Sequence, residues 1–255
     1  ADGTFTVRIA AADIGTGART ALTLLAADAL DVTPDRVQVR IGDSDFGPAW
    51  IAGGSMGTRS WGWAVTAAAS ELRERLALGA DIPPEGITVR SDTTEALQAL
   101  TQKERHSFAA QFAEVAVDVT TGEVRVRRML GIFAAGRIVN PLTARSQLLG
   151  GMIWGISMAL HEEAVRDPAT GGLYGADLAG YHVATNADVA DIEADWVADP
   201  DPDDPVGLKG IGEVGIVGAA AAVANAVWHA TGVRHRDLPI RPDRVLQAVT
   251  GAPDA

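Results

Sequence analysis

GTFTVRIAAADIGTGARTALTLLAADALDVTPDRVQVRIGD, residues 3–43, changes period twice. From Thr4 to Ile9 the residues alternate and several are β-branched, which predicts a strand ending at a glycine turn. Leu22, Leu24, Leu25, Ala29 and Leu30 then recur at helical spacing. Thr33-Pro34-Asp35 marks a turn, and Arg36 to Ile41 alternate again as a second strand. Strand, helix and strand thus follow one another within a single short unit.

The pattern beyond this unit does not repeat the rhythm. GWAVTAAASELRERLAL, residues 62–78, predicts an amphipathic helix. Residues 80–105 are polar and read as irregular. Two alternating stretches flank TTGE at 120–123 and predict a hairpin turning at Gly122. Asn140-Pro141 is a helix-start signal for residues 140–164, where Gly150-Gly151 predicts close packing against another backbone. IEADWV, residues 192–197, reads as a strand, ADPDPDDP at 198–205 as a solvated acidic turn, and 215–230 as a buried helix before a tail. Mixed strands and helices without a βαβα alternation predict an α+β fold with mixed sheets and packed helices. Two lobes are expected: 1–105, with two glycine-rich loops, and 106–255, carrying the helix that follows Glu213.

Composition narrows the function classes. Apolar residues make up 47% of the 255, enough for a real core. A net charge of −12 repels phosphate backbones and anionic lipid, which argues against nucleic-acid and membrane partners. The apolar stretches read as too short or too interrupted to span a bilayer. There is no cysteine, so this chain holds no disulfide, thiolate zinc site, cysteine-bound iron–sulfur cluster or thiol nucleophile. The first residue is not Met, and the chain reads as a fragment or one piece of a larger subunit.

Three glycine-rich loops precede predicted helices: Gly15-Thr16-Gly17, Gly53-Gly54-Ser55 with Gly57-Thr58-Arg59-Ser60, and Gly210 to Gly215. Glycine lets a ligand approach the backbone, and free N–H groups at a helix start attract anions. Each loop alone can be a tight turn; together they point to an extended, phosphate-bearing ligand. Glu213 sits alone in the third loop, ahead of an apolar run. A carboxylate there can be a helix-start charge, stabilised by about 0.3–1 kcal/mol. It can also be an ionised but poorly solvated base, as proton abstraction requires. His106, His161, His182, His229 and His235 show no metal-ligand spacing and read as structural or exposed. Trp154 follows an apolar helix face and reads as core.

Four blocks carry a resemblance. KGIGEVGIVGAAAAVANAVWHATGVRHRDLPI (209–240) resembles the C-terminal signature of the molybdenum hydroxylases, the xanthine oxidase and aldehyde oxidase family. AADIGTGARTALTLLAADALDV (11–32), GDSDFGPAWIAGGSMGTRS (42–60) and AGRIVNPLTARSQLLGGMIWGISMALHEE (135–163) resemble further blocks of the same large subunit, in the same order. GGMIWGISMALHEE and GEVGIVG are most similar to the bacterial aldehyde-oxidising branch. The resemblance implies a molybdopterin-binding fold and molybdopterin with Mo, in its cytosine dinucleotide form. It implies that Glu213 is the catalytic base of an aldehyde or N-heterocycle hydroxylation in which water supplies the oxygen. It also implies cofactor contacts from Gly15, Thr16, Gly17, Gly54, Ser55, Gln147 and Lys209. Thr16 stands where the family usually has glutamine, and Trp154 where many relatives do.

The glycine-rich loop of the family's N-terminal half, near the metal, is absent from this sequence. The resemblance therefore implies as partners that half of the molybdenum subunit, iron–sulfur and flavin subunits, and a small-molecule substrate. Localisation stays open between cytoplasm and periplasm. The alternative reading is a non-catalytic, split or truncated molybdopterin-binding module that needs a partner chain.

Overall fold

The computed structural model describes residues 3–79, 81–100 and 102–251. The expected irregular stretch 80–105 has Ala80 and Thr101 outside that range, as are Ala1, Asp2 and residues 252–255. The chain divides into two compact units. The first comprises Ala1–Ser107, Ala134–Ala144 and Val197–Gly212; the second comprises Phe108–Phe133, Arg145–Trp196 and Glu213–Ala255. The first break lies close to the expected boundary at 105/106, but two later segments return to the first unit.

In the first unit, β1 (Phe5–Arg8) pairs in parallel with β2 (Val37–Arg40), Phe5 opposite Val37 and Arg8 opposite Arg40. α1 (Ala18–Leu30) makes the crossover that parallel strands require. It packs on α2 (Gly57–Ala77), where a Cβ at Gly62 would lie 2.6 Å from Leu25 Cδ1. Leu22, Leu25, Val39, Trp61 and Val65 are buried together with Leu208. Each such large side chain contributes about 1.5–3 kcal/mol of burial. Residues 94–100 form α3, although 80–105 reads as irregular; Asp92 accepts from the Thr94 N–H at 2.9 Å and starts the turn.

The returning segments are held by specific bonds. Gly136 and Leu208 form an antiparallel bridge, and Arg137 N–H donates to the Gly207 carbonyl at 2.8 Å. The acidic run read as a solvated turn is instead partly buried. The Asp204 side chain is 0% exposed and that of Asp201 9%. Asp204 accepts from Arg59 Nε at 2.7 Å and from the Val206 N–H at 2.9 Å. Asp201 accepts from Arg105 Nε at 2.7 Å. Buried carboxylates persist where charge and N–H donors surround them.

The second unit holds a three-stranded sheet in the order β3 (Phe108–Val117), β4 (Val124–Ala134), β5 (Ile192–Val197). The β3–β4 hairpin turns at Gly122, whose φ is 76° and whose Cβ would collide with the Pro242 carbonyl at 1.9 Å. α4 (Pro141–Leu160) starts as its sequence signals, with Asn140 Oδ1 accepting from the Leu142 N–H at 3.1 Å. The division between units passes through this helix after Ala144. Its core stripe is Leu148, Met152, Ile156 and Ala159. Trp154 lies off that stripe and is 61% exposed, so the expected core position does not hold. The helix is apolar nearly all round, and composition alone does not choose its buried face.

The expected helix 215–230 is two helices. α5 (Val214–Val217) is one turn, Gly218 breaks it, and α6 (Ala219–Thr231) follows. α6 buries Ala219, Ala220, Val223 and Val227, while Trp228 and His229 are exposed, so it is covered on one face only. By length and composition Val214–Thr231 could cross a bilayer, contrary to the reading of the apolar stretches; its buried face belongs to this unit's core. The supposed tail contains α7 (Pro242–Thr250), started by Pro242 and anchored by buried Val245.

Candidate functional site

Two of the three glycine-rich loops meet in the first unit. Ser55 Oγ accepts from the Gly212 N–H at 2.6 Å, and Ser107 Oγ donates to the Gly210 carbonyl at 2.7 Å. A Cβ at Gly210 would lie 2.9 Å from the Ser55 carbonyl oxygen, and one at Gly212 2.9 Å from Ser55 Oγ. Only glycine allows this approach at 210 and 212.

Gly54 and Ser55 are both left-handed, at φ 58° and 57°. A non-glycine residue held there stores backbone strain, a feature that clusters at ligand sites. Their N–H groups donate to no acceptor among the described residues, and Gly54 is exposed just ahead of α2. Open amides on a left-handed turn before a helix suit an anionic or carbonyl-rich ligand, so the loop fits an extended phosphate-bearing group.

Gly15, Thr16 and Gly17 form a different kind of loop. Asp13 Oδ1 accepts from Gly15 N–H at 3.0 Å and Gly17 N–H at 3.1 Å, and Oδ2 from Arg19 N–H at 3.4 Å. Partial burial, the largest single influence, pushes the Asp13 carboxyl up, yet the N–H groups of Arg19, Gly15, Gly17 and Ala18 together hold it below its ordinary value. The donors expected to attract a ligand anion are thus filled by the loop's own carboxylate. Thr16 remains exposed, and open space surrounds the Cβ position of Gly15. Lys209 is fixed too, its Nζ paired with Asp199 and its side chain 12% exposed.

Glu213 and Gln147 belong to the second unit. Glu213 caps α5 at φ −119°, ψ −11°, exposed and without a side-chain cap bond. The expected poorly solvated carboxylate on a long helix is not what this chain presents. α5 is a single turn and supplies little aligned dipole. Gln147 is exposed on α4, next to buried Leu148.

The backbone after Glu213 is enclosed. A Cβ at Gly215 would lie 2.7 Å from the Leu148 carbonyl oxygen, one at Gly151 2.9 Å from Gly215 Cα, and one at Gly155 2.3 Å from Ala219 Cβ. The expected close packing is therefore real at Gly151, while Gly150 faces open space. On β3, Gln111 Nε2 donates to the Gly215 carbonyl at 3.0 Å and more weakly to that of Val214 at 3.4 Å.

Sequence reasoning missed Gln111, Gly155 and the Arg59, Arg105, Asp201 and Asp204 cluster. The glycine at 155 continues the spacing of Gly151, a signal that was available. The ionic cluster joins residues far apart in the chain and leaves no local mark.

The sequence profile of the molybdopterin cofactor-binding domain family matches residues 1–105 and 91–190. The aldehyde oxidoreductase molybdenum-binding subunit PaoC of Escherichia coli K12 is 42% identical over 96% of this chain, which covers 37% of that protein. The probable hypoxanthine oxidase XdhD of the same organism is 32% identical over 97% of the chain and 29% of its own length. The solved aldehyde oxidoreductase from Desulfovibrio gigas superposes with a TM-score of 0.76 at 29% identity, over 98% of this chain and 29% of that one. The chain spans about a third of the length of these relatives.

Proposed function

Since this chain belongs to the family of molybdopterin cofactor-binding domains, we propose that it is the C-terminal part of the molybdopterin-binding subunit of an oxidoreductase. The enzyme hydroxylates an aldehyde or an N-heterocycle and takes the oxygen from water. The observation that carries this reading is the likeness, over nearly the whole chain, to an aldehyde oxidoreductase molybdenum-binding subunit.

When bound, molybdopterin in its cytosine dinucleotide form supplies a molybdenum centre that takes up the two electrons of the oxidation. Residues of this chain hold the cofactor and supply the base. The open amides of Gly54 and Ser55 hold the cofactor, and Gly15, Thr16 and Gly17 contact it. The Gln147 side-chain amide adds a further contact. Lys209, pinned by Asp199, fixes the loop that leads to Glu213. Glu213 acts as the general base once cofactor and substrate shield its carboxylate, which is exposed in this chain and has no cap bond to break; it takes the proton from the attacking hydroxyl oxygen.

The partners in this reading are the remainder of the molybdenum subunit, iron–sulfur and flavin subunits, and the small-molecule substrate. The complex works in the cytoplasm or the periplasm. In the complete complex, Glu213→Gln lowers turnover by about a hundredfold or more, with molybdenum content near that of the unchanged protein. Retained turnover rejects the assignment of the base. A second reading, a non-catalytic module, is favoured by the Gly15-Thr16-Gly17 loop, whose N–H groups are taken up by Asp13 rather than left open to a ligand. Metal analysis and pterin fluorescence of the purified chain test it: stoichiometric molybdenum in this chain alone refutes it.

A further inference from the structure

We propose that Gln111 is a positioning residue for Glu213; the inference rests on the reading of Glu213 as the base. Gln111 lies on β3, more than a hundred residues before Glu213 in sequence, yet its side-chain amide reaches the turn that Glu213 begins. Nε2 donates to the carbonyls of Gly215 at 3.0 Å and Val214 at 3.4 Å.

In an unbroken helix the Val214 carbonyl accepts from the N–H four residues on. Here the helix ends at Gly218, whose N–H also reaches the Ile216 carbonyl. Gln111 enters where the helix is interrupted, and Gly218 makes the room. A Cβ at 218 would stand 3.2 Å from both Gln111 Cδ and Nε2. From the other side, α4 presses glycine against glycine at Gly151 and Gly215. The peptide units that set the direction of Glu213 are therefore held between a backbone contact and one side-chain amide.

Gln111 Oε1 is buried and makes no hydrogen bond among the described residues. Leaving a buried amide oxygen unpaired costs stability. The hydrogen bonds that Gln111 does make run from Nε2 to the turn after Glu213. Gln111 touches no reacting atom; it acts through the backbone of Val214 and Gly215 on the carboxylate that precedes them.

The test uses the assembled holoenzyme with Gln111→Leu, Gln111→Glu and, in parallel, Glu213→Gln. Gln111→Leu removes the donor at similar volume. It is expected to lower kcat about tenfold with KM within about twofold, the pattern of an interaction that matters at the transition state, and to leave molybdenum content unchanged. Amide hydrogen exchange in the 212–218 peptide speeds up, with the rest of the unit unaffected. In Gln111→Glu the introduced carboxylate repels both carbonyls when ionised and donates to one when protonated. Its kcat deficit therefore shrinks from about pH 8 to about pH 6, whereas that of Gln111→Leu stays flat.

An unchanged kcat in Gln111→Leu overturns the inference, even where exchange is faster. If Gln111→Leu fails to fold or load, Gln111→Glu still decides: a deficit that does not depend on pH overturns the inference as well. A dead Glu213→Gln beside a normal Gln111→Leu sinks this inference alone. An active Glu213→Gln sinks the base assignment and this inference with it.

Discussion

Asp204 shows what one side chain can hold in place. Its carboxylate is fully buried and meets Arg59, itself 17% exposed, and the N–H groups of Val206 and Leu208. Removing it leaves a mostly buried guanidinium with only the longer ion pair to Asp201 at 3.7 Å, and two amides without an acceptor. Asp204→Ala is expected to cost about 3–5 kcal/mol, as when one partner of a buried pair is deleted. Asp203, next in the same acidic run, pairs with Lys103 on the surface, at 42% and 53% exposure. Asp203→Ala should cost about 0–1 kcal/mol. Chemical denaturation midpoints of the two variants check the contrast; equal losses would contradict the burial argument. The run was visible in the sequence, but not which of its aspartates is buried. Arg59 stands 145 residues away from Asp204, and such a pairing has no local signature. The glycines of the Ser55 and Gly212 contact were easier to read, because a loop dense in glycine announces close backbone approach whatever the partner is.

At the scale of elements, α4 presents two adjacent glycines with opposite surroundings. Gly150 has nothing within 4 Å of its Cβ position, while a Cβ at Gly151 would meet Gly215 at 2.9 Å. Gly150→Ala is therefore expected to stabilise by about 0.5–1 kcal/mol through helix propensity alone. Gly151→Ala should destabilise by about 1–3 kcal/mol, because α5 must shift. Thermal unfolding of the two variants separates them, and a destabilising Gly150→Ala would mean that the open side of α4 is covered after all. Long periodic segments were readable: α1, α2 and α4 follow from their apolar spacing and start signals. The short strands β1, β2 and β5 were read from their alternation, but the short helices were not. α3, of seven residues, depends on Asp92 at its start rather than on period, whereas the nine residues of α7 behind Pro242 do carry an apolar face around Val245, a signal that was passed over. Gly218, where the helix breaks, lies against Gln111, which no window around residues 214–231 contains.

Across the whole molecule, contiguous halves were expected and two interleaved units are found, since 134–144 and 197–212 pack with the residues before 108. The acid response is also a property of the whole chain. Hydrogen bonds from the Thr120 hydroxyl hold the Asp118 carboxyl below its ordinary value of 3.8, and those from Arg241 do the same for Asp243. Such groups stabilise the folded state above their unfolded values, and that contribution is lost as pH falls through the folded ones. This loss therefore belongs below pH 3.8. His235 adds a second window. Desolvation, then the charge of Arg244, pushes its imidazole below the ordinary 6.5, and its Nε2 is buried without a hydrogen-bond partner among the described residues. A proton placed there has no acceptor, so the unfolded chain binds it first. Stability then falls as pH drops below 6.5 and stops falling once folded His235 is also protonated. Melting temperature against pH should thus show two declines, one beginning near 6.5 and one below 3.8. His235→Gln should remove the first and leave the second. An upper decline that survives this substitution would assign it to another group and leave the buried nitrogen without a thermodynamic role.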